Sequence, residues 1–141
     1  MEYRNLQNGI YKNAEMGITA LEKIIPSVSN HNLKSLLVRQ YDGYKKQAEK
    51  TTEQLKSESI TPEKPPLSTT MMSKAGIAMK LAMDDSTSNI AKMLIQGTNM
   101  GIIELNKEIN RTSEKDGQAV RSAREFLDSE QRYLDQLKTY L

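Results

Sequence analysis

The 141-residue chain contains no cysteine, no tryptophan, one phenylalanine and one histidine. Without cysteine there is no disulfide framework, no thiolate metal site, no iron–sulfur cluster and no cysteine nucleophile. A single imidazole excludes any one-chain site that needs two, including HExxH metallopeptidases and a complete His-containing di-iron centre. Excess charge of one sign is missing as well. Twenty basic against eighteen acidic side chains leave a net charge of +2, which gives no electrostatic footprint for nucleic acid. No apolar run approaches the roughly 18 residues of a membrane span. The first residues, Met1-Glu2-Tyr3-Arg4-Asn5, lack the apolar h-region of a secretory signal. A soluble, cytoplasmic protein is expected, with neither nucleic acid nor membrane as partner.

What is present is helical periodicity. Hydrophobic residues are only 37% of the chain, and they recur at spacings of three and four. Leu6, Ile10, Ala14, Gly17, Leu21 and Ile24 form one stripe, predicting helix 1 at about 3–25, ended by Pro26. Ser29, Asn30 and Asn32 offer capping oxygens for helix 2, at about 30–57. Its stripe is Leu33, Leu37, Tyr41, Tyr44, Ala48, Thr51 and Leu55, with Gln40 and Gln47 at the edge. Residues 58–69 hold Pro62, Pro65 and Pro66 and read as an extended crossover. A short helix at about 70–83 is followed by the capping residues Asp84-Asp85-Ser86-Thr87-Ser88. Helix 3, at about 86–111, carries Ile90, Leu94, Gly97, Gly101, Leu105 and Glu108 on its stripe. Helix 4, at about 117–140, carries Val120, Ala123, Leu127, Glu130, Leu134, Leu137 and Leu141.

The sequence partly repeats. Met-Gly-Ile-Thr-Ala-Leu-Glu-Lys at 16–23 matches Met-Gly-Ile-Ile-Glu-Leu-Asn-Lys at 100–107, and the same offset brings Leu6 onto Ile90 and Ile10 onto Leu94. A slightly larger offset brings the helix 2 stripe onto that of helix 4, with Tyr44 on Glu130. Two helical hairpins joined by a long crossover follow, giving a single all-α domain over 1–141, a ferritin-like four-helix bundle with a short extra helix. A simple up-down-up-down bundle is the architectural alternative.

Three pieces carry a resemblance: Tyr11-Lys12-Asn13-Ala14-Glu15-Met16-Gly17, the proline-containing crossover, and the short helix before Asp84-Asp85. The chain resembles a poorly characterised bacterial family of ferritin-like four-helix bundles of unknown function. In such proteins a Glu follows a small residue in the first and third helices; Glu15 matches the first, and Asn99 stands at the second. The superfamily implies a di-iron centre built from two Glu and two Glu-x-x-His pairs. Here Tyr133 stands three residues after Glu130, where His would be, and His31 sits at the start of helix 2 as a capping or exposed residue. A di-iron centre is therefore not expected, and no cofactor is assigned.

At about 100° per residue, Glu104 and Glu130 face the core, whereas Glu15 projects away from the stripe as a surface residue. A core carboxylate must be hydrogen-bonded, protonated or metal-bound. A polar core cluster of Tyr41, Tyr44 and Gln47 supplies the first outcome; a divalent cation on Glu104 and Glu130, with Glu15 as a further candidate ligand, is the alternative. Gly17, Gly97 and Gly101 on core stripes predict close helix approach, or a cavity for a small molecule beside the tyrosines. The methionines concentrate on the short helix and helix 3, and Met72, Met79 and Met83 are read as a partner surface. The expected function is non-enzymatic: a structural or protein-interaction bundle with a homodimer or another protein as partner. A divalent-metal-binding bundle and a small-molecule carrier are the alternatives.

Overall fold

The computed structural model describes residues 2–65 and 74–141. Among them the chain is all-helical, with α1 (Glu2–Ile24), α2 (His31–Ser57), α3 (Lys74–Met83), α4 (Thr87–Arg111) and α5 (Gln118–Lys138), and a 3-10 turn at Ile25–Ser27. No strand occurs among these residues. Residues 70–73 of the expected short helix lie outside the described residues.

The ends follow local chemistry. Pro26 sits in the turn that closes α1, where its ring and missing N–H stop an α-helical ladder. Asn30 Oδ1 accepts from Leu33 N at 2.9 Å to open α2, and Ser86 Oγ accepts from Asn89 N at 3.2 Å to open α4. Asp84 Oδ1 in turn accepts from Ser86 N at 3.0 Å. At the end of α2, Ser59 takes φ 59°. Ile60 N then donates to Leu55 O at 2.8 Å and Ser59 N to Lys56 O at 2.9 Å, a Schellman closure without its usual glycine.

Helix α1 is the hub, packing against α2, α3, α4 and α5, while α4 lies along α5. Gly17 lies against Tyr44 of α2, Gly9 against Leu105 and Gly101 against Asn13. Ser113, just past α4, donates to Glu2 at the start of α1. Helices α1 and α4 therefore run antiparallel. The segment after α2 lies on the first half of α1, where Glu63 pairs with Arg4 at 3.1 Å and Lys12 at 3.2 Å, and Asn8 Oδ1 accepts from Glu63 N at 2.9 Å.

The core is the meeting of the apolar stripes: Leu6, Ile10, Leu21 and Ile24 with Leu33, Leu37, Ile90, Leu105, Val120 and Leu137, all essentially solvent-free. On α5 the stripe is wider than the heptad reading. Phe126 and Tyr133 are buried, Leu127 is half-buried, and Leu141 is exposed. A helix that faces three neighbours buries a broad arc, so the residues flanking the seam also enter the core. No helix among the described residues is long and apolar enough to cross a membrane.

Candidate functional site

The stripe of α5 places one carboxylate, Glu130, among apolar neighbours, 4% exposed. Helix α2 supplies its partners from consecutive turns. The Tyr44 hydroxyl donates to Glu130 Oε2 at 2.9 Å, and Gln40 Nε2 donates to Oε1 at 3.1 Å. One turn along α5, the Tyr133 ring meets Tyr44 edge-on, with centroids 6.4 Å apart, and Phe126 flanks Tyr44 from the other side. Tyr44 reaches this place because α1 presents Gly17 beneath it; a Cβ there would overlap the Tyr44 ring. A glycine inside a helix costs about 1 kcal/mol against alanine, and here it admits the phenol of the hydrogen bond.

Burial dominates the electrostatics. No ion pair joins Glu130 to a basic side chain of the described residues. Desolvation lifts its carboxyl from the ordinary 4.5 to about 7, although the Tyr44 hydrogen bond pulls the other way. Burial and the neighbouring carboxylate push both phenols upward, so Tyr44 and Tyr133 stay protonated. The Tyr133 hydroxyl, on a residue 2% exposed, has no hydrogen-bond partner among the described residues.

A cavity of about 40 Å3 lies beside this cluster. Its polar lining among the described residues is Glu130, Tyr133, Tyr44, Thr98, Asn13 and Lys80, and Gly17, Gly97 and Gly101 line it as well. Ile77 and Lys80 of α3 close one side. A groove of about 530 Å3 between α1 and α4 adjoins it, since Asn13, Met16 and Gly101 line both. The Asn13 amide stands at the junction, donating to Gly9 O at 3.0 Å and lying where a Cβ of Gly101 would be. The arrangement can hold or release one proton near neutrality and can offer acceptors to a small polar guest.

The residues singled out in the sequence separate here. Glu104 does not face the core: its side chain is 66% exposed and pairs with Lys107 at 3.0 Å. The seam of α4 runs through Leu105 and Ile109, and the residue before Leu105 is turned about 100° away from it. Glu104 and Glu130 therefore share no site, which overturns the paired core carboxylates expected for a divalent cation. Glu15 is half-buried on α1. Among the described residues no three His, Asp or Glu side chains gather in a metal-binding group.

Of the expected tyrosine and glutamine cluster, Tyr44 alone meets the carboxylate. Tyr41 is half-buried, with the Lys45 ammonium 5.4 Å over its ring, and Gln47 donates to Thr51 Oγ1 at 3.0 Å. Gln40, four residues before Tyr44 and thus one turn away on the same face, takes the place expected of Gln47. Tyr133 and Thr98 are site residues that stripe reading passed over; for Tyr133 the i+3 spacing from Glu130 was the available signal. Met79 and Met83 are 67% and 81% exposed, and Met72 lies outside the described residues. No family model, curated protein or solved structure matches the chain.

Proposed function

We propose that the chain is a non-enzymatic, cytoplasmic interaction protein: a bacterial ferritin-like four-helix bundle that pairs with a second copy of itself through α3. The architectural part rests on helix directions. Helix α1 is antiparallel to both α2 and α4, so the chain must travel back along α1 between the second and third long helices. That is the connection of ferritin-like bundles in place of a short turn. The pseudo-repeat adds to this, because Tyr44 and Glu130, equivalent in the two halves, are hydrogen-bonded.

The single observation that carries the interaction role is the outer face of α3. Of its ten residues only Ile77 is buried, and Ala75, Met79, Ala82 and Met83 are exposed. Methionine suits such a surface because its unbranched thioether adapts to a partner. An antiparallel pair of α3 helices centred on Met79 would set the small Ala75 against Met83 of the copy, both exposed and both within about 40° of Met79 around the helix. The contact is isologous, as a two-fold dimer requires.

A ten-residue face is small against the about 800 Å2 that each partner gives to a standard interface, so the dimer is expected to be concentration-dependent. Light scattering after size exclusion tests it across a dilution series. The native chain should move from monomer toward dimer mass as concentration rises, and a Met79→Lys, Met83→Lys variant should stay monomeric. Identical masses for the two proteins at every concentration would reject the α3 interface.

A further inference from the structure

Glu130 is a buried carboxylate whose hydrogen bonds among the described residues both come from neutral groups, Tyr44 and Gln40. Buried carboxylates are ordinarily balanced by a cation or a metal. Each of its oxygens, having accepted one bond, keeps a second lone pair. Beside it the Tyr133 hydroxyl is sealed from solvent and has no partner among the described residues, a state that a buried hydroxyl keeps only at a cost. Both residues line the cavity, together with Thr98, whose hydroxyl adds another acceptor. A volume of about 40 Å3 exceeds the about 10–15 Å3 that one water needs, so it admits a few heavy atoms and no ring.

We propose that this cavity binds the ammonium group of a small linear amine, held by Glu130, Tyr133 and Thr98, with the alkyl chain leaving past Asn13 and Gly101 into the groove between α1 and α4. An ammonium carries three donors and no acceptor; it matches a carboxylate oxygen, a phenol oxygen and a hydroxyl oxygen. A carboxylate guest would meet Glu130 as a like charge, and an alcohol would leave that charge uncompensated. Met16, which lines the cavity and the groove alike, suits methylene groups on that path. The groove is wide enough for the rest of a chain and carries Glu104 and Glu108 on its α4 side. Lys80 of α3 is the one basic side chain on the cavity among the described residues; it does not line the groove and forms no ion pair with Glu130.

Isothermal titration with n-butylamine tests the site, with n-butanol and butyrate as matched probes. The native protein should bind the amine with one-site stoichiometry and neither of the others. Because the bound cation favours the ionised carboxylate, binding near pH 7 should release protons, read as a buffer-dependent heat between phosphate and Tris. Glu130→Gln keeps an acceptor for Tyr44 and should weaken amine binding at least tenfold, without proton release; Tyr133→Phe should weaken it about tenfold. Glu104→Gln, which alters the groove alone, should leave affinity within about twofold. Absence of amine binding to the native protein would overturn the proposal, the cavity then holding water only. Equal affinity in Glu130→Gln, or equal binding of butanol, would overturn it as well, and does not depend on the variant's stability because circular dichroism reports its folding separately.

Discussion

The Tyr44 hydroxyl donates to Glu130 across 2.9 Å, joining residues 86 positions apart that hold equivalent places in the two halves of the chain. Around that bond the polar interior is organised: Gln40 on the second carboxylate oxygen, Gly17 beneath the Tyr44 ring and Tyr133 at its edge. The carboxylate sits in the core without a cationic partner among the described residues. Its cost is visible in a carboxyl group shifted to about 7.

That shift makes stability depend on pH in a defined direction. The folded state holds the Glu130 proton more tightly than the unfolded chain, so the contribution is fully present below about pH 4.5 and is lost as pH rises through about 7. A carboxyl lifted from 4.5 to about 7 corresponds to something on the order of 3 kcal/mol. Urea unfolding at steps between pH 4.5 and 8 should show native stability falling relative to Glu130→Gln, which lacks the titrating group. Parallel curves for the two proteins would show that Glu130 titrates normally.

Glycines in two helices should respond with opposite signs. Gly43 on α2 has no atom within 4 Å of an added Cβ, so Gly43→Ala should stabilise by about 1 kcal/mol through helix propensity. Gly17→Ala gains the same propensity, but its methyl group would collide with the Tyr44 ring and displace the donor to Glu130. A net loss of about 1–3 kcal/mol is expected. Chemical denaturation of both variants checks the contrast, and stabilisation by Gly17→Ala would show that Tyr44 moves freely.

Ser59 closes α2 from the left-handed region, at φ 59°. A residue with a Cβ is strained there by about 1 kcal/mol, which glycine avoids. Ser59→Gly should therefore raise the melting temperature modestly although its side chain is exposed. A lower melting temperature would mean that the unfolded-chain entropy of glycine outweighs the relief.

Much of the helical character was legible because it is written in local patterns. Pro26, Asn30 and Ser86 mark ends through backbone chemistry that acts within a few residues. Glu130 was legible as a core carboxylate because the α5 stripe on either side of it is unambiguous. Glu104 was misread for the converse reason. Gly97 and Gly101 define the α4 stripe weakly, and one step of phase separates a core position from the exposed one that pairs with Lys107. The choice of Gln40 over Gln47 is also beyond periodicity, since both lie within a turn of Tyr44 and only the position of α5 distinguishes them. The cavity depends on two helices, α1 and α4, meeting at glycines and on Ile77 and Lys80 of α3 lining it too, which no single stripe encodes.

Self-association through α3 is tested most directly by one cysteine at the centre of the proposed seam. In the antiparallel register the two Met79 side chains meet on the two-fold axis, whereas Lys74 lies about 140° away around the helix. The chain has no cysteine of its own, so mild oxidation of Met79→Cys chains should give a disulfide-linked dimer on a non-reducing gel, and Lys74→Cys chains should stay monomeric. Equal crosslinking of the two variants, or crosslinking of neither, would contradict the α3 interface.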